Sequence, residues 1–204
     1  LVITPGHTGA RGVTSGHAEN LKLSDAHAIC DIPGVLRVAP GASSSAQVKY
    51  ANKNQPVRVM GTSKTYMPIR DVKIEKGRVF SEMEADMMAR VAIIGPTTAE
   101  RLFGINDPLE QAIKIKGVNF TVIGVTKAKG DAGYFNPDDQ AIVPYTTAMK
   151  QLFGVDHLGE IDVQVSEGFN LTEVQNAITT LLRKRHRLEP VTEDDFFVRN
   201  QAES

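Results

Sequence analysis

Alternation of apolar and polar positions is clearest in two places. Ile113-Lys114-Ile115-Lys116-Gly117-Val118-Asn119-Phe120-Thr121-Val122-Ile123-Gly124-Val125 alternates on both arms about Gly117, the pattern of a β-hairpin. Glu160-Ile161-Asp162-Val163-Gln164-Val165 alternates in the same way and predicts a half-buried strand. Ala46–Tyr50 and Val57–Met60, separated by the turn-like Asn52-Lys53-Asn54-Gln55, predict a further hairpin, preceded by a strand at Val35–Pro40. Val91-Ala92-Ile93-Ile94, inside a strand predicted over Arg90–Gly95, and Ala141-Ile142-Val143-Pro144 read as buried strands, and Phe196–Arg199 as the closing one.

Helical signals lie between these strands. Ser24 is a candidate N-cap for a helix through Asp31, stopped by Pro33-Gly34. A short helical segment is expected over Lys64–Ile69. Ser81 with Glu84 forms a capping box, because each side chain can satisfy an end-of-helix N–H near the other. Pro96 opens a helix that ends at Gly104, and Thr146–Phe153 forms one closed by Gly154. Asn170 and Glu173 cap the longest helix, which runs to about His186 with an apolar stripe of Leu171, Val174, Ile178, Leu181 and Leu182. Interleaved helices and strands give an α+β class with a mostly antiparallel or mixed sheet. Residues 4–20, rich in Gly, Thr and His, read as a mobile leader, with folded structure expected from Leu23. Residues 127–136 read as a loop.

Composition narrows the function. The chain has 204 residues, is 41% hydrophobic, and carries 23 Lys+Arg against 24 Asp+Glu. That is too apolar and too neutral for a disordered chain. It also lacks the basic excess that a dedicated nucleic-acid binder needs. Its single cysteine, Cys30, excludes an internal disulfide framework and any multi-cysteine metal site, and is expected to be packed in the first helix. At this length folding hides roughly 70% of the unfolded chain's surface, enough for a substantial core. No apolar run approaches the ~20 residues of a membrane span. The chain starts at Leu1 and reaches Ser204 without a natural ending, so a piece of a longer protein is expected, with apolar spans on both flanks.

The candidate chemistry is sparse. Gly12-Val13-Thr14-Ser15-Gly16 has Thr where a nucleophile elbow needs Ser and is expected to be plain flexible chain. His7, His17 and His27 share no helical face, and His157 and His186 read as surface residues rather than metal ligands. Arg183-Lys184-Arg185-His186-Arg187 is either a patch for phosphate or anionic lipid, or a set of cations complementing a helix C-terminus; the second is preferred. Glu82, Glu84 and Asp86 suit a helix N-terminus, and Glu193-Asp194-Asp195 a solvated turn. Gly124 and Gly130 do not form a phosphate loop, so no ATP site is expected. The sequons at Asn119 and Asn170 carry meaning only in a eukaryotic source. Phe80, Tyr134, Phe135 and Tyr145 could line a small-molecule cleft between two subdomains, though core burial is expected for any one of them. No catalytic, metal or cofactor-binding residue is assigned.

An ordered series of short motifs is more specific. Gly77-Arg78-Val79-Phe80-Ser81, Arg90-Val91-Ala92-Ile93-Ile94-Gly95, Leu102-Phe103-Gly104, Asp107-Pro108-Leu109 and the Ile113–Val125 hairpin resemble the periplasmic core domain of MacB-type ABC transporter permeases. Asp31-Ile32-Pro33-Gly34-Val35 and Val198-Arg199-Asn200-Gln201 look like the same family's pattern, so the resemblance runs from about Leu23 to the chain's end. One departure is Glu110, where the family's pattern has Gly; the resemblance does not secure the local turn there.

The resemblance implies a porter-like βαβ subdomain from 21–62 with 158–204, a smaller α/β subdomain inserted as 63–157, and 1–20 as a tether from a transmembrane helix. It implies a non-enzymatic coupling domain on the periplasmic side of the bacterial inner membrane. ATP and Mg would act at a separate nucleotide-binding domain. Its implied partners are that domain, a second permease copy, a periplasmic adaptor and an outer-membrane channel, with no nucleic acid. The alternative is a periplasmic small-molecule, peptide or lipid-binding module without transport coupling.

Overall fold

The first strand lies where a leader was expected. In the computed structural model, which describes residues 1–6, 19–130 and 136–201, β1 spans Val2–Pro5. It pairs antiparallel with β9, Glu160–Val165, and with β10, Phe196–Arg199. Ile3 in its short apolar stretch is fully buried, and its ladder partners come from the far end of the chain. The remainder of the predicted leader, 7–18, lies outside the described residues.

Two compact units divide the chain: Leu1–Gly41 with Asp156–Ser204, and Ala42–Val155. The division therefore falls at Gly41/Ala42 and Val155/Asp156, not at the expected 62/63 and 157/158.

In the first unit α1, Leu23–Ile29, follows β1, and the first half of β2 (Val35–Tyr50) pairs antiparallel with β9. Then α6, Leu171–Arg185, leads to β10. The strand order β10-β1-β9-β2 with two helices is a βαββαβ, ferredoxin-like arrangement. The unit thus holds one βαβ more than expected, because β1 lies within the stretch predicted as leader. α1 packs against α6, whose buried residues are Val174, Ile178 and Leu182. Their spacing of four residues keeps one stripe facing inward. Leu171, placed on that stripe by sequence, is 42% exposed.

The second unit contains the rest of β2, β3 (Lys53–Thr62), β4 (Ile74–Gly77), β5 (Val91–Ile94), β6 (Ala112–Ile115), β7 (Val118–Thr126) and β8 (Gln140–Pro144). β2 pairs with β3, β3 with β8, β8 with β5, β5 with β7, β7 with β6 and β6 with β2. The ladders close into a ring of six strands, and closure removes exposed sheet edges. β4 adds to β7 antiparallel. Val48, Val59, Ile94, Ile115, Phe120 and Val143 belong to one buried cluster, joined by Leu102 and Phe103 of α4 (Pro96–Phe103).

Three further helical pieces complete this unit: α2 (Tyr66–Ile69), α3 (Glu82–Asp86), and α5 (Tyr145–Thr147), which continues as a π-helical turn over Ala148–Phe153. Lys116 and Gly117 form the β6–β7 turn with φ of 49° and 80°. Two positive φ angles in a two-residue connection match the twist of a hairpin. The β2–β3 turn is tighter than expected, with Tyr50 already opposite Lys53.

Candidate functional site

A charged cluster joins α1 to the C-terminal end of α6. Asp25, at the start of α1, is 3% exposed. One carboxylate oxygen accepts from Arg185 Nε at 2.8 Å. The other lies 2.9 Å from His186 Nε2 and accepts from the Lys22 backbone N–H at 3.0 Å. His186 Nδ1 lies 2.8 Å and 3.0 Å from the two oxygens of Asp195. A carboxylate only accepts when ionised, so a ring held between two of them is suited to carrying both protons. Burial of His186 opposes that charge, but hydrogen bonds and charge from Asp25 and Asp195 outweigh it and raise the pKa above its ordinary value. Burial likewise opposes ionisation of Asp25, and Arg185, His186 and the Lys22 N–H together pull its pKa down.

These positions correct the sequence reading. His186 is a largely buried bridge, its side chain 10% exposed, rather than a surface residue. Asp194 and Asp195 do not form a free solvated turn: Asp194 pairs with Arg183 at 2.6 Å and Asp195 with His186. Arg183 also donates to the carbonyls of Thr192 and Glu189. Arg183, Arg185 and His186 of the five-residue basic run are therefore engaged within their own unit, and Nδ1 and Nε2 of His186 point at different carboxylates, which is no geometry for one metal. The sequence signal available was weak: a His within a basic run, with an acidic run nine residues later.

In the inserted unit, Phe80 and Tyr145 share a cleft of about 200 Å³ with Ser81, Ala85 and Asp86. Phe80 is 2% exposed, so it forms the floor. Burial raises the Tyr145 pKa, with a further push from Asp86. Beside this cleft, α3 exposes Met83 at 70%, and Met87 just past its end is 72% exposed. A spacing of four puts both on one helical face. Glu84 serves the expected capping box and also binds Arg78, and Glu82 lies 3.6 Å from Lys64. A second, larger groove of about 490 Å³ runs between α4 and the ends of β4 and β7, with Lys76, Glu100, Ile105 and Lys127 on its walls.

His7, His17, the Gly12–Gly16 segment, Tyr134 and Phe135 lie outside the described residues. His27 is exposed on α1, and His157 is half-buried with Nδ1 3.7 Å from Asp156. Cys30 is exposed rather than packed, its thiol directed to the Ala26 carbonyl. Asn170 accepts from the Glu173 N–H as the N-cap of α6. Glu110, at the family's Gly position, has φ of 64°. It retains the left-handed turn despite its side chain.

Residues 1–181 match the sequence profile of the MacB-like periplasmic core domain. The chain belongs to that family. Among curated relatives, the macrolide export ATP-binding/permease protein MacB of Bdellovibrio bacteriovorus is 39% identical over 97% of this chain, and that of Chlorobaculum tepidum 39% over 88%. These matches cover 31% and 28% of the relatives, so the chain spans about a third of their length. Among solved structures, the periplasmic region of MacB from Actinobacillus actinomycetemcomitans superposes with a TM-score of 0.84 at 26% identity, covering 99% of this chain and 88% of that one. The extracellular domain of the noncanonic ABC-type transporter YknZ from Gram-positive bacteria shares the fold, with a TM-score of 0.79 at 21% identity over 98% of this chain and all of that one. The family's α+β architecture is the one described above, and among the described residues no helix is long and apolar enough to cross a membrane.

Proposed function

We propose that this domain couples ATP hydrolysis, performed by a cytoplasmic nucleotide-binding domain, to extrusion of a substrate on the periplasmic side of the bacterial inner membrane. In this reading it works as part of a dimer with a second permease copy and engages a periplasmic adaptor leading to an outer-membrane channel. The observation that carries it is the family match over residues 1–181. A coupling domain needs packed units that transmit motion and a surface that holds a partner; Met83 and Met87, flexible and strongly exposed, supply such a surface. The test uses the full-length transporter. Met83→Lys with Met87→Lys lowers adaptor-stimulated ATP hydrolysis and efflux and leaves hydrolysis without adaptor unchanged. Unaltered stimulation removes the assigned surface, and robust ATP hydrolysis by the 204-residue chain alone overturns the coupling role.

A second reading rests on the groove of about 490 Å³, which is the size of a small-molecule site. There the domain binds a macrolide, peptide or lipid without transmitting motion. Thermal-shift measurements with each ligand class separate the two: the binding reading requires a shift that Ile105→Asp, on the groove wall, abolishes.

A further inference from the structure

We propose that His186 is a proton-operated latch on the terminal strands of the first unit. As an imidazolium it ties α1, the end of α6 and the segment entering β10 together, and on losing a proton it lets the β10 side go.

The geometry makes Asp195 a junction. Its carboxylate takes both contacts from His186 Nδ1, while its backbone carbonyl accepts from the Gly6 N–H at 2.8 Å, next to β1, and from Asn20 Nδ2. One residue therefore connects α6 to both ends of the chain. The Phe196 and His186 rings stand nearly perpendicular, at 86°, with centroids 5.9 Å apart. A neutral imidazole keeps a single N–H, so one of the two carboxylates must then face a lone pair. Asp25 retains Arg185 and the Lys22 N–H in that event. The described residues give the Asp195 carboxylate no donor other than His186. Exposure decides which: the Asp25 side chain is 4% exposed and that of Asp195 18%, so water can replace a lost donor only at Asp195. The remaining proton stays on the buried Asp25 side, and Asp195, which carries the entry to β10, is released.

Among the described residues, the charged groups facing the ring can be assigned. From α1 comes Asp25; the Lys22 ammonium is directed away, to Asp156. From α6 comes Arg185, whose charge is absorbed by Asp25, and Arg183, absorbed by Asp194. From the segment before β10 comes Asp195, and β1 contributes no titratable side chain. Two carboxylates against one guanidinium favour the imidazolium. Because the folded-state value is raised above 6.5, the latch is complete below pH 6.5 and is lost as pH rises through the folded value.

The test is made on the 204-residue chain by NMR. His186 is expected to titrate above 6.5 with both ring nitrogens protonated below its midpoint. Amide-exchange protection factors in β1 and β10 should fall between pH 6.5 and that midpoint, by about tenfold for each unit of elevation, while those of β8 stay constant. His186→Gln, which keeps a donor but not the charge, should make the β1 and β10 protection independent of pH. Should that variant fail to fold, Asp195→Asn serves instead, and must lower the His186 midpoint and flatten the same profile. A His186 midpoint at or below 6.5, or an unchanged pH profile in the folded variant, overturns the latch.

Discussion

Arg78 grips Glu84 with both arms of its guanidinium, Nη1 to Oε1 at 2.6 Å and Nη2 to Oε2 at 3.1 Å. The same carboxylate accepts from the Ser81 N–H at 2.9 Å, and the Ser81 hydroxyl accepts from the Glu84 N–H at 3.1 Å. A motif that sequence presents as a helix start is therefore also an anchor for the chain leaving β4.

Glu84→Gln is expected to lower the unfolding free energy at pH 7 by about 1 kcal/mol, a figure that allows for solvent screening of a pair whose arginine is exposed. The hydrogen bonds from Arg78, opposed by partial burial and aided by the Ser81 N–H, hold the Glu84 pKa at about 2 against an ordinary 4.5. Its contribution is thus complete above pH 4.5 and lost as pH falls towards 2. Urea melts across that interval should have a shallower acid limb in the variant; parallel limbs would show that the pair does not act.

Two ion pairs at the N-terminal end of α1 differ in what they are worth. Asp25→Ala removes a carboxylate whose side chain is 4% exposed, taking away the partner of Arg185 and one of the two carboxylates that hold His186. Breaking a buried pair from one side costs about 3 kcal/mol. Lys22 pairs with Asp156, whose side chain is 82% exposed, so Lys22→Ala should leave the denaturation midpoint unmoved. Equal effects of the two substitutions would contradict the burial argument.

Local pattern reveals what local energetics determine. Ile113 and Ile115 are buried and Lys114 exposed, so the hairpin is visible from alternation alone. The capping residues Ser81 and Asn170 act within three residues of themselves and are equally visible. The middle of β2 is not: Gly41–Ser45 carries no large apolar side chain, yet Ala42 to Ser45 pair in register with Gly61 to Arg58. β1 is hidden for a different reason, since Val2 and Ile3 gain their partners from residues 161–162 and 198–199. The His186 bridge combines both difficulties. Nothing in a run of cations states that one of them turns inward, and Asp25 lies 161 positions away.

Gly6 tests the closure of β1 and β10 directly. A Cβ there would stand 2.8 Å from the Asp195 carbonyl carbon and from the Phe196 nitrogen, both backbone atoms that cannot swing aside. Gly6→Ala should destabilise the first unit by about 1–3 kcal/mol, the range for forced overpacking. Exchange protection should drop in β1 and β10 and hold in β5 and β7. A uniform drop across both units would mean that they unfold as one.

Glu110 offers the opposite sign. Its N–H donates to the Val122 carbonyl at 2.8 Å, so the backbone is held in place at φ of 64°, where a Cβ crowds the following carbonyl. A side chain in this region costs about 1–2 kcal/mol relative to glycine, and glycine gives back roughly 0.5–1 kcal/mol through the greater freedom of the unfolded chain. Glu110→Gly should therefore raise stability by up to about 1 kcal/mol. The Arg78–Glu84 pair, which already satisfies the nearest guanidinium, limits what is lost with the Glu110 charge. Urea denaturation at pH 7 measures the difference. A loss of stability would mean that the carboxylate contributes more through Arg78 than the backbone strain removes, and Glu110→Gly introduced into an Arg78→Gln background would then raise the stability of that background.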